Sequence, residues 1–245
     1  MPDRVLVEIL VAAPIETVWK ALRDPAEMYR WFGWNYPRLA EDIDMMFFQN
    51  TQAEEATHTI RDSGGMPDRF ELEAQGAQTV VRVIRSAPVE DESWQGFYDD
   101  VNEGWITFFQ QLKYTLERHP GADRRTIFLN GRARSAGTPQ PAQALGFDAL
   151  AIVPVGERYA VQAATGDSLE GTVWYRTSYQ LGLTVDGYGD GLLIVNARPR
   201  TEKSLHGGGS VIATTYGLND AAFDRLLDSW KTWWAATYEV IETQP

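Results

Sequence analysis

The hydrophobic positions recur with the period of a helix most clearly between residues 93 and 121. The apolar side chains are spaced by three and four residues, while Asp99, Glu103, Lys113 and Glu117 fall on the other side. Pro120 and Gly121 end the pattern. A helix of this length measures roughly 35–40 Å. Its apolar side is mostly aromatic and predicts a broad, concave partner surface such as a curved sheet. That side is formed by Trp94, Phe97, Tyr98, Val101, Trp105, Phe108, Phe109, Leu112 and Leu116.

Shorter patterns precede this helix. Three helical stretches are predicted, at 15–22, 24–33 and 37–48; the second begins with Asp24 as N-cap and Pro25 in the first turn. Strands are predicted at 5–11, 56–61, 69–74 and 78–85, and turns at 64–65 and 75–76.

After a polar break at 119–123 the pattern begins again. A short helix is predicted near 142–145, and a final helix runs from the N-cap Asn219 to about Ile241. Strands are predicted at 126–133, 158–164, 169–175, 178–185, 192–197 and 210–216.

The two long helices align with an offset of 125 residues. Any two amphipathic helices can be aligned on their apolar sides, but here the aromatic identities agree, and both halves run strand, helical stretch, strands, long helix. We therefore predict a duplication with domains at 1–122 and 123–245, in which Trp105 and Trp230 occupy equivalent places. The aligned pairs are Tyr98 with Phe223, Val101 with Leu226, Trp105 with Trp230, Phe108 with Trp233, Phe109 with Trp234, and Leu116 with Ile241.

Three segments carry a family resemblance: A-P-I-E-T-V-W-K-A-L at 13–22, D-P-A-E-M-Y-R-W-F at 24–32 and E-G-W-I-T-F-F-Q-Q-L at 103–112. The chain resembles the START-like (SRPBCC) helix-grip superfamily, and within it the branch named after the activator of the heat-shock-protein-90 ATPase. The match covers most of residues 4–119, and the second half, with G-Y-G-D-G-L-L-I-V at 187–195, resembles a divergent copy. One departure is that residues 37–55 look helical, where the branch has a longer run of strands.

The resemblance implies an α+β fold in which an antiparallel sheet wraps round a long C-terminal helix, with an apolar cavity between them. Members of the superfamily bind lipids, aromatic natural products or hormones, act as cyclases, or serve as co-chaperones. The same architecture, duplicated, is expected here.

Composition and charge limit the chemistry and the partners that can be expected. There are no cysteines, so disulfides, thiolate catalysis and cysteine metal sites are excluded. Residues 1–122 carry 11 basic and 21 acidic residues, against 11 and 13 in residues 123–245, within a net charge of −12. This acidity argues against nucleic acid or an anionic membrane as a partner. No signal peptide and no apolar run of about 18 residues is present, so a cytoplasmic protein is expected.

Candidate polar chemistry is sparse. Glu55 and His58 have the spacing of half a di-iron site but lack a second copy, His119 suits a helix C-terminus, and His206 lies beside Gly207–Gly209. The segment 186–191 resembles the start of a calcium loop but lacks its ligands, and no phosphate loop or serine-hydrolase motif is present. We predict no catalytic residue, no metal and no cofactor.

The remaining candidates are aromatic: the chain has 9 Trp, 10 Tyr and 10 Phe. Each long helix needs large side chains to fill its sheet, so any named Trp can be a core residue. The same wall can also line a pocket for a flat apolar ligand. The predicted ligand-binding residues are Trp105, Phe109, Trp174, Tyr175, Tyr179, Trp230 and Trp234.

The leading hypothesis is non-catalytic binding of a hydrophobic or aromatic small molecule between sheet and helix. One alternative is a co-chaperone-type module whose acidic first half meets a chaperone or another protein. A second alternative is a cyclase- or dehydratase-type enzyme in the same cavity, for which Glu103, Asp186 and His206 are the ionisable candidates.

Overall fold

The structure is a computed structural model that describes residues 3–62, 68–85, 95–202 and 204–241. The chain divides into two compact units, Met1–Asp123 (unit 1) and Arg124–Pro245 (unit 2). Each unit is built from one antiparallel sheet and one long helix.

The sheet of unit 1 has its first strand beside its last. The order is β1-β5-β4-β3-β2, so the first strand pairs with the strand that precedes the long helix, and the other strands follow back along the sheet. Every pairing is antiparallel. The strands are β1 (Arg4–Val11), β2 (Thr51–Glu54), β3 (Thr59–Asp62), β4 (Asp68–Gln75) and β5 (Gln78–Arg85).

The helices of unit 1 begin where the sequence places their start signals. The Asp24 side chain accepts a hydrogen bond from the Ala26 N–H, and Pro25 occupies the first turn, so a new helix begins directly after the first. The helices are α1 (Ile15–Arg23), α2 (Pro25–Tyr29), α3 (Leu39–Asp44) with a π-helical turn (Met45–Gln49), and the long α4 (Gln95–Arg118).

Two predictions in this unit need correction. The predicted helix 37–48 is interrupted, because its second half winds as a π-helix, and an unpredicted strand, β2, follows it. Residues 55–57 form a 3₁₀ turn instead of the start of a strand. Strand β2 escaped prediction because its residues are mostly exposed and show no apolar alternation. The predicted turn at 64–65 and Trp94 lie outside the described residues.

The sheet of unit 2 follows the same path with more strands. Its order is β12-β6-β11-β10-β9-β8-β7, so the first strand again lies beside the last strand before the long helix. The strands are β6 (Arg125–Ala133), β7 (Arg158–Gln162), β8 (Ser168–Arg176), β9 (Gln180–Val185), β10 (Gly191–Arg198), β11 (Gly208–Thr215) and β12 (Tyr238–Val240).

Unit 2 has a short helix α5 (Pro141–Ala144), 3₁₀ turns at Asp148–Ile152 and Asp186–Tyr188, and the long helix α6 (Asp220–Thr237). The Asn219 side chain accepts from the Ala222 N–H and caps α6 as predicted. The predicted extension to Ile241 is wrong, because the chain leaves the helix after Thr237 and residues 238–240 pair with β6. The aligned pair of Leu116 and Ile241 therefore does not lie on two equivalent helices.

Each unit has its own apolar core between sheet and helix. Trp105, Phe109 and Leu112 of α4 join the first core, and Phe223, Leu226, Trp230 and Trp234 of α6 join the second. The predicted α+β helix-grip architecture, present twice, is confirmed. Among the described residues, no helix is both long enough and apolar enough to cross a membrane.

Candidate functional site

The interior of unit 1 is filled by aromatic rings in mutual contact. Phe70 lies 5.0 Å from Trp105 between ring centroids, Phe47 lies 5.0 Å from Phe32, and Phe109 lies 6.0 Å from Trp105. Phe47 belongs to the π-helical turn after α3 and is fully buried. This turn therefore adds a large side chain to the core of unit 1. We call this set the ring cluster: Trp31, Phe32, Phe47, Phe70, Trp105, Phe108 and Phe109.

The indole N–H groups of the ring cluster have acceptors. Trp31 Nε1 donates to the Ala21 carbonyl oxygen at 2.8 Å, and Trp105 Nε1 donates to Asp68 Oδ2 at 3.1 Å. Asp68 also forms a buried ion pair with Arg85, in which Arg85 Nη2 lies 2.7 Å from Oδ2 and Arg85 Nε contacts Oδ1. The two charged residues stand directly opposite each other on β4 and β5. This pair therefore ties the sheet to α4 through Trp105.

In unit 2 the equivalent tryptophan has a neutral partner. Trp230 Nε1 donates to the Tyr188 hydroxyl at 2.9 Å, and both residues are buried. Tyr188 lies in the turn before β10, and Asp68 opens β4; each of these strands is the second last before its long helix. Trp105 and Trp230 thus hold corresponding positions in their own units, while the common origin of the units stays a prediction.

The phenols under α6 are held in their neutral form. Burial raises the pKa of Tyr188 above its ordinary value, and the negative charge of Asp167 raises it further. Burial likewise raises the pKa of Tyr159, whose hydroxyl donates to the Thr184 carbonyl oxygen at 2.8 Å. These groups can donate hydrogen bonds near neutral pH, but they are poor bases.

The buried indole of Trp234 has an unmet hydrogen-bond donor. Its side chain is 1% exposed, and its Nε1 has no acceptor among the residues that the structure describes. Its ring lies 4.4 Å from the Tyr238 ring, and Trp233 packs beside both. Gly131 of β6 allows this packing, because a Cβ there would come within 2.9 Å of Trp234 Nε1, Tyr238 Cβ and the Glu239 carbonyl oxygen.

The predicted strand residues do not gather with these tryptophans. Strand β8 has an irregular register between Val173 and Tyr175: Val173 pairs with Leu183, and Tyr175 pairs with Gly182. Tyr175 therefore lies on the face opposite to Val173, with its ring over Gly182. Trp174 is half-buried at this irregularity, and Tyr179 is 42% exposed in the following turn. Their role in ligand binding stays a prediction.

The ionisable candidates are exposed, half-buried or engaged with a neighbouring charged residue. His206 is exposed, and the exposed Asp186 pairs with Arg158 Nη2 at 2.8 Å. His58 Nε2 lies 3.3 Å from Glu16 Oε1, and Glu103 is half-buried on α4. Within the described part of the chain no group of three or more His, Asp or Glu residues could hold a metal ion.

Sequence reasoning missed Asp68, Arg85 and Tyr188. Tyr188 lies in the segment 186–191, which lacks the ligands of a calcium loop, and no neighbouring residue along the chain points to Trp230. Asp68 and Arg85 lie opposite each other because of the register of β4 and β5. A single charged residue in a strand pattern does not reveal which residue of the next strand it faces.

No protein-family model and no curated protein matches this sequence. Several solved structures do. The di-domain ARO/CYC StfQ from the steffimycin biosynthetic pathway is 11% identical, with 97% of this chain and 94% of that chain covered and a TM-score of 0.33. DynU16, a protein in the dynemicin biosynthetic locus, is 16% identical, with 94% and 96% covered and a TM-score of 0.30. The Aha1 dimer from Colwellia psychrerythraea is 19% identical, with 49% of this chain and 100% of that chain covered and a TM-score of 0.34.

These matched structures are of the SRPBCC type, the superfamily that the sequence resembles. Their identities and TM-scores are too low to carry an argument about a ligand or a reaction.

Proposed function

We propose that the chain is a non-catalytic binding protein for an apolar, aromatic small molecule, and that the molecule is taken up under α6 in unit 2. The observation that carries the proposal is the buried Trp234 N–H, which has no acceptor among the described residues. A buried donor left without an acceptor costs about 1–3 kcal/mol. A ligand oxygen that accepts this hydrogen bond removes the cost.

The surroundings of Trp234 suit a flat apolar ligand. Trp230, Trp233, Trp234 and Tyr238 follow one another along the end of α6, with neighbouring ring centroids 4.4–6.3 Å apart. Aromatic contacts of this kind add about 0.5–1.5 kcal/mol each beyond the area they bury. The nearby phenols are neutral, so an uncharged ligand meets no unpaired charge from them.

Unit 1 is the less suitable host. Its interior holds the ring cluster, and the N–H groups of Trp31 and Trp105 already have acceptors. A ligand there would find both of these indole donors already engaged.

The proposal is tested by titrating the purified protein with a neutral, apolar fluorescent dye such as Nile red. We expect saturable binding, and we expect Trp234→Phe to weaken it about fivefold, the equivalent of one hydrogen bond. Trp105→Phe makes the same chemical change in unit 1 and is the matched control, which should leave the affinity within twofold. Absence of saturable binding, or equal losses in the two variants, would contradict the proposal.

A further inference from the structure

One end of the unit 2 sheet carries polar side chains on the face that points away from α6. The α6 side of these strands is apolar and contributes Leu129, Val195 and Val211 to the core. The alternating positions lie on the opposite face, where the strand register aligns them in two rows. The rows across β6, β11 and β10 are Asn130, Ser210 and Asn196, followed by Arg132, Gly208 and Arg198.

The Arg198 side chain of the second row reaches across the sheet toward β6. Arg198 Nη2 donates to Asn130 Oδ1 at 3.2 Å, so its side chain crosses over β11 to reach β6. Strands β10 and β6 are two strand spacings apart, or about 10 Å. Arg132 lies on the same face of β6, two residues beyond Asn130. Gly208 stands between the two arginines in the register and has no side chain to separate them.

Arg132 is an exposed cation without a carboxylate partner in the described part of the chain. The strand register places Glu239 of β12 opposite it, yet no ion pair forms between the two. The net charge of the whole chain is −12, so a basic site at Arg132 and Arg198 contrasts with the rest of the protein.

We propose that Arg132 and Arg198 bind a phosphate group on the outer face of the unit 2 sheet. A planar guanidinium donates two parallel hydrogen bonds to an oxyanion, and a phosphate has enough oxygens to engage two guanidinium groups together. In the neighbouring row Asn196 Nδ2 donates to Ser210 Oγ at 3.1 Å, and the Ser210 O–H offers a further donor. The acidic remainder of the chain disfavours a polyphosphate chain such as nucleic acid, so the ligand is a single phosphate group.

This site is independent of the one proposed under α6, because it lies on the other face of the sheet. Its test is isothermal titration at low ionic strength with inorganic phosphate and, separately, with O-phosphoserine. We expect binding of at least one of them, weakened at least fivefold by Arg132→Gln and by Arg198→Gln. Binding of inorganic phosphate alone identifies the free ion as the ligand, and binding of O-phosphoserine extends the class to phosphate monoesters.

Two further variants control for general charge effects. Arg225→Gln removes an exposed arginine on α6 and should change the affinity less than twofold. Glu239→Gln removes the carboxylate opposite Arg132 and should tighten binding by about twofold or more. No measurable binding of either phosphate, equal effects of Arg132→Gln and Arg225→Gln, or acetate bound as tightly as phosphate would each overturn the proposal. Unchanged thermal unfolding of each variant shows that the fold is intact.

Discussion

The interiors of the two units solve the same packing problem in opposite ways. In each, a tryptophan of the long helix donates a hydrogen bond to a side chain at or just before the second-last strand. In unit 1 the acceptor is Asp68, a carboxylate paired with Arg85, and the space around it is filled by the ring cluster. In unit 2 the acceptor is Tyr188, a neutral phenol, and one turn further along the helix Trp234 has an unmet donor.

The comparison distinguishes an interior that mainly stabilises the fold from one that is expected to bind a ligand. A buried ion pair with full hydrogen bonding is costly to break from one side, so it holds unit 1 in one arrangement. A buried donor without an acceptor lowers the stability of unit 2, and a ligand that accepts its hydrogen bond would restore that stability. We therefore expect unit 1 to respond to mutation mainly through stability, and unit 2 through both stability and ligand affinity.

The largest effect is expected from Asp68→Ala. It leaves the buried Arg85 guanidinium without its carboxylate and should lower the free energy of unfolding of unit 1 by about 3–5 kcal/mol. Hydrogen exchange read by mass spectrometry reports each unit separately and is the suitable measurement. Asp186→Ala, which breaks an exposed pair with Arg158, is the control and should leave the stability of unit 2 nearly unchanged. Similar effects of the two variants would remove the contrast between the interiors.

Alanine in place of glycine should act with opposite signs in the two units. At Gly131 the new Cβ meets backbone and side-chain atoms at 2.9 Å, so overpacking should cost unit 2 about 1–3 kcal/mol. At Gly104, inside α4, the nearest atom lies 4.0 Å away, so the higher helix propensity of alanine should stabilise unit 1 by about 0.5–1 kcal/mol. Urea unfolding of both variants checks the two signs, and two effects of equal sign would contradict the packing described for Gly131.

A matched pair within α6 tests the unmet donor. Trp230→Phe and Trp234→Phe remove the same atoms, but only Trp230→Phe removes a hydrogen bond. Trp230→Phe should therefore destabilise unit 2 by about 2 kcal/mol more than Trp234→Phe, because the second change also relieves a buried donor. Thermal unfolding in the absence of ligand measures the difference, and a larger loss in Trp234→Phe would show that its N–H is already satisfied.

The smallest effect is expected in alkali. Burial raises the pKa of Tyr188, so its contribution to stability is fully present below about pH 10, the ordinary tyrosine value. Above that pH the unfolded chain loses this proton before the folded one, and stability falls by about 1.4 kcal/mol per pH unit for each such phenol. Tyr188→Phe should remove that much of the slope from unit 2. Trp230→Phe breaks the same hydrogen bond but keeps the phenol, so its slope should match that of the unchanged protein.

Helix positions could be predicted from sequence because their signals are local. The spacing of Trp105, Phe109 and Leu112 and the capping side chains of Asp24 and Asn219 depend only on neighbours along the chain. The end of α6 could not be predicted in this way. Tyr238 continues the apolar spacing of the helix, yet its residue pairs with Ala133 of β6, because a strand partner outweighs one more turn of helix there.

The residues of the candidate site also differ in whether local sequence signals predict them. Trp230 and Trp234 followed from helical spacing, whereas Tyr188 depended on which turn of the sheet lies beneath α6. Tyr175 shows why strand faces are harder still. Alternation along β8 places it beside Val173, but the irregular register at Trp174 shifts it to the other face. A single inserted residue thus changes the face of the sheet on which a side chain lies, and the residue types alone do not reveal it.

The short strand β12 has a consequence for how the protein is made. Strand β6 opens unit 2, but its neighbours on either side are β11, about 80 residues later, and β12, more than 100 residues later. Contacts so distant along the chain form late and slow the search for the folded state. During synthesis, unit 1 can close its sheet once β5 has emerged, whereas the first strand of unit 2 waits for residues 238–240. The first strand of unit 1 therefore completes its pairing before its long helix is made, and the first strand of unit 2 completes its pairing only after its long helix is made.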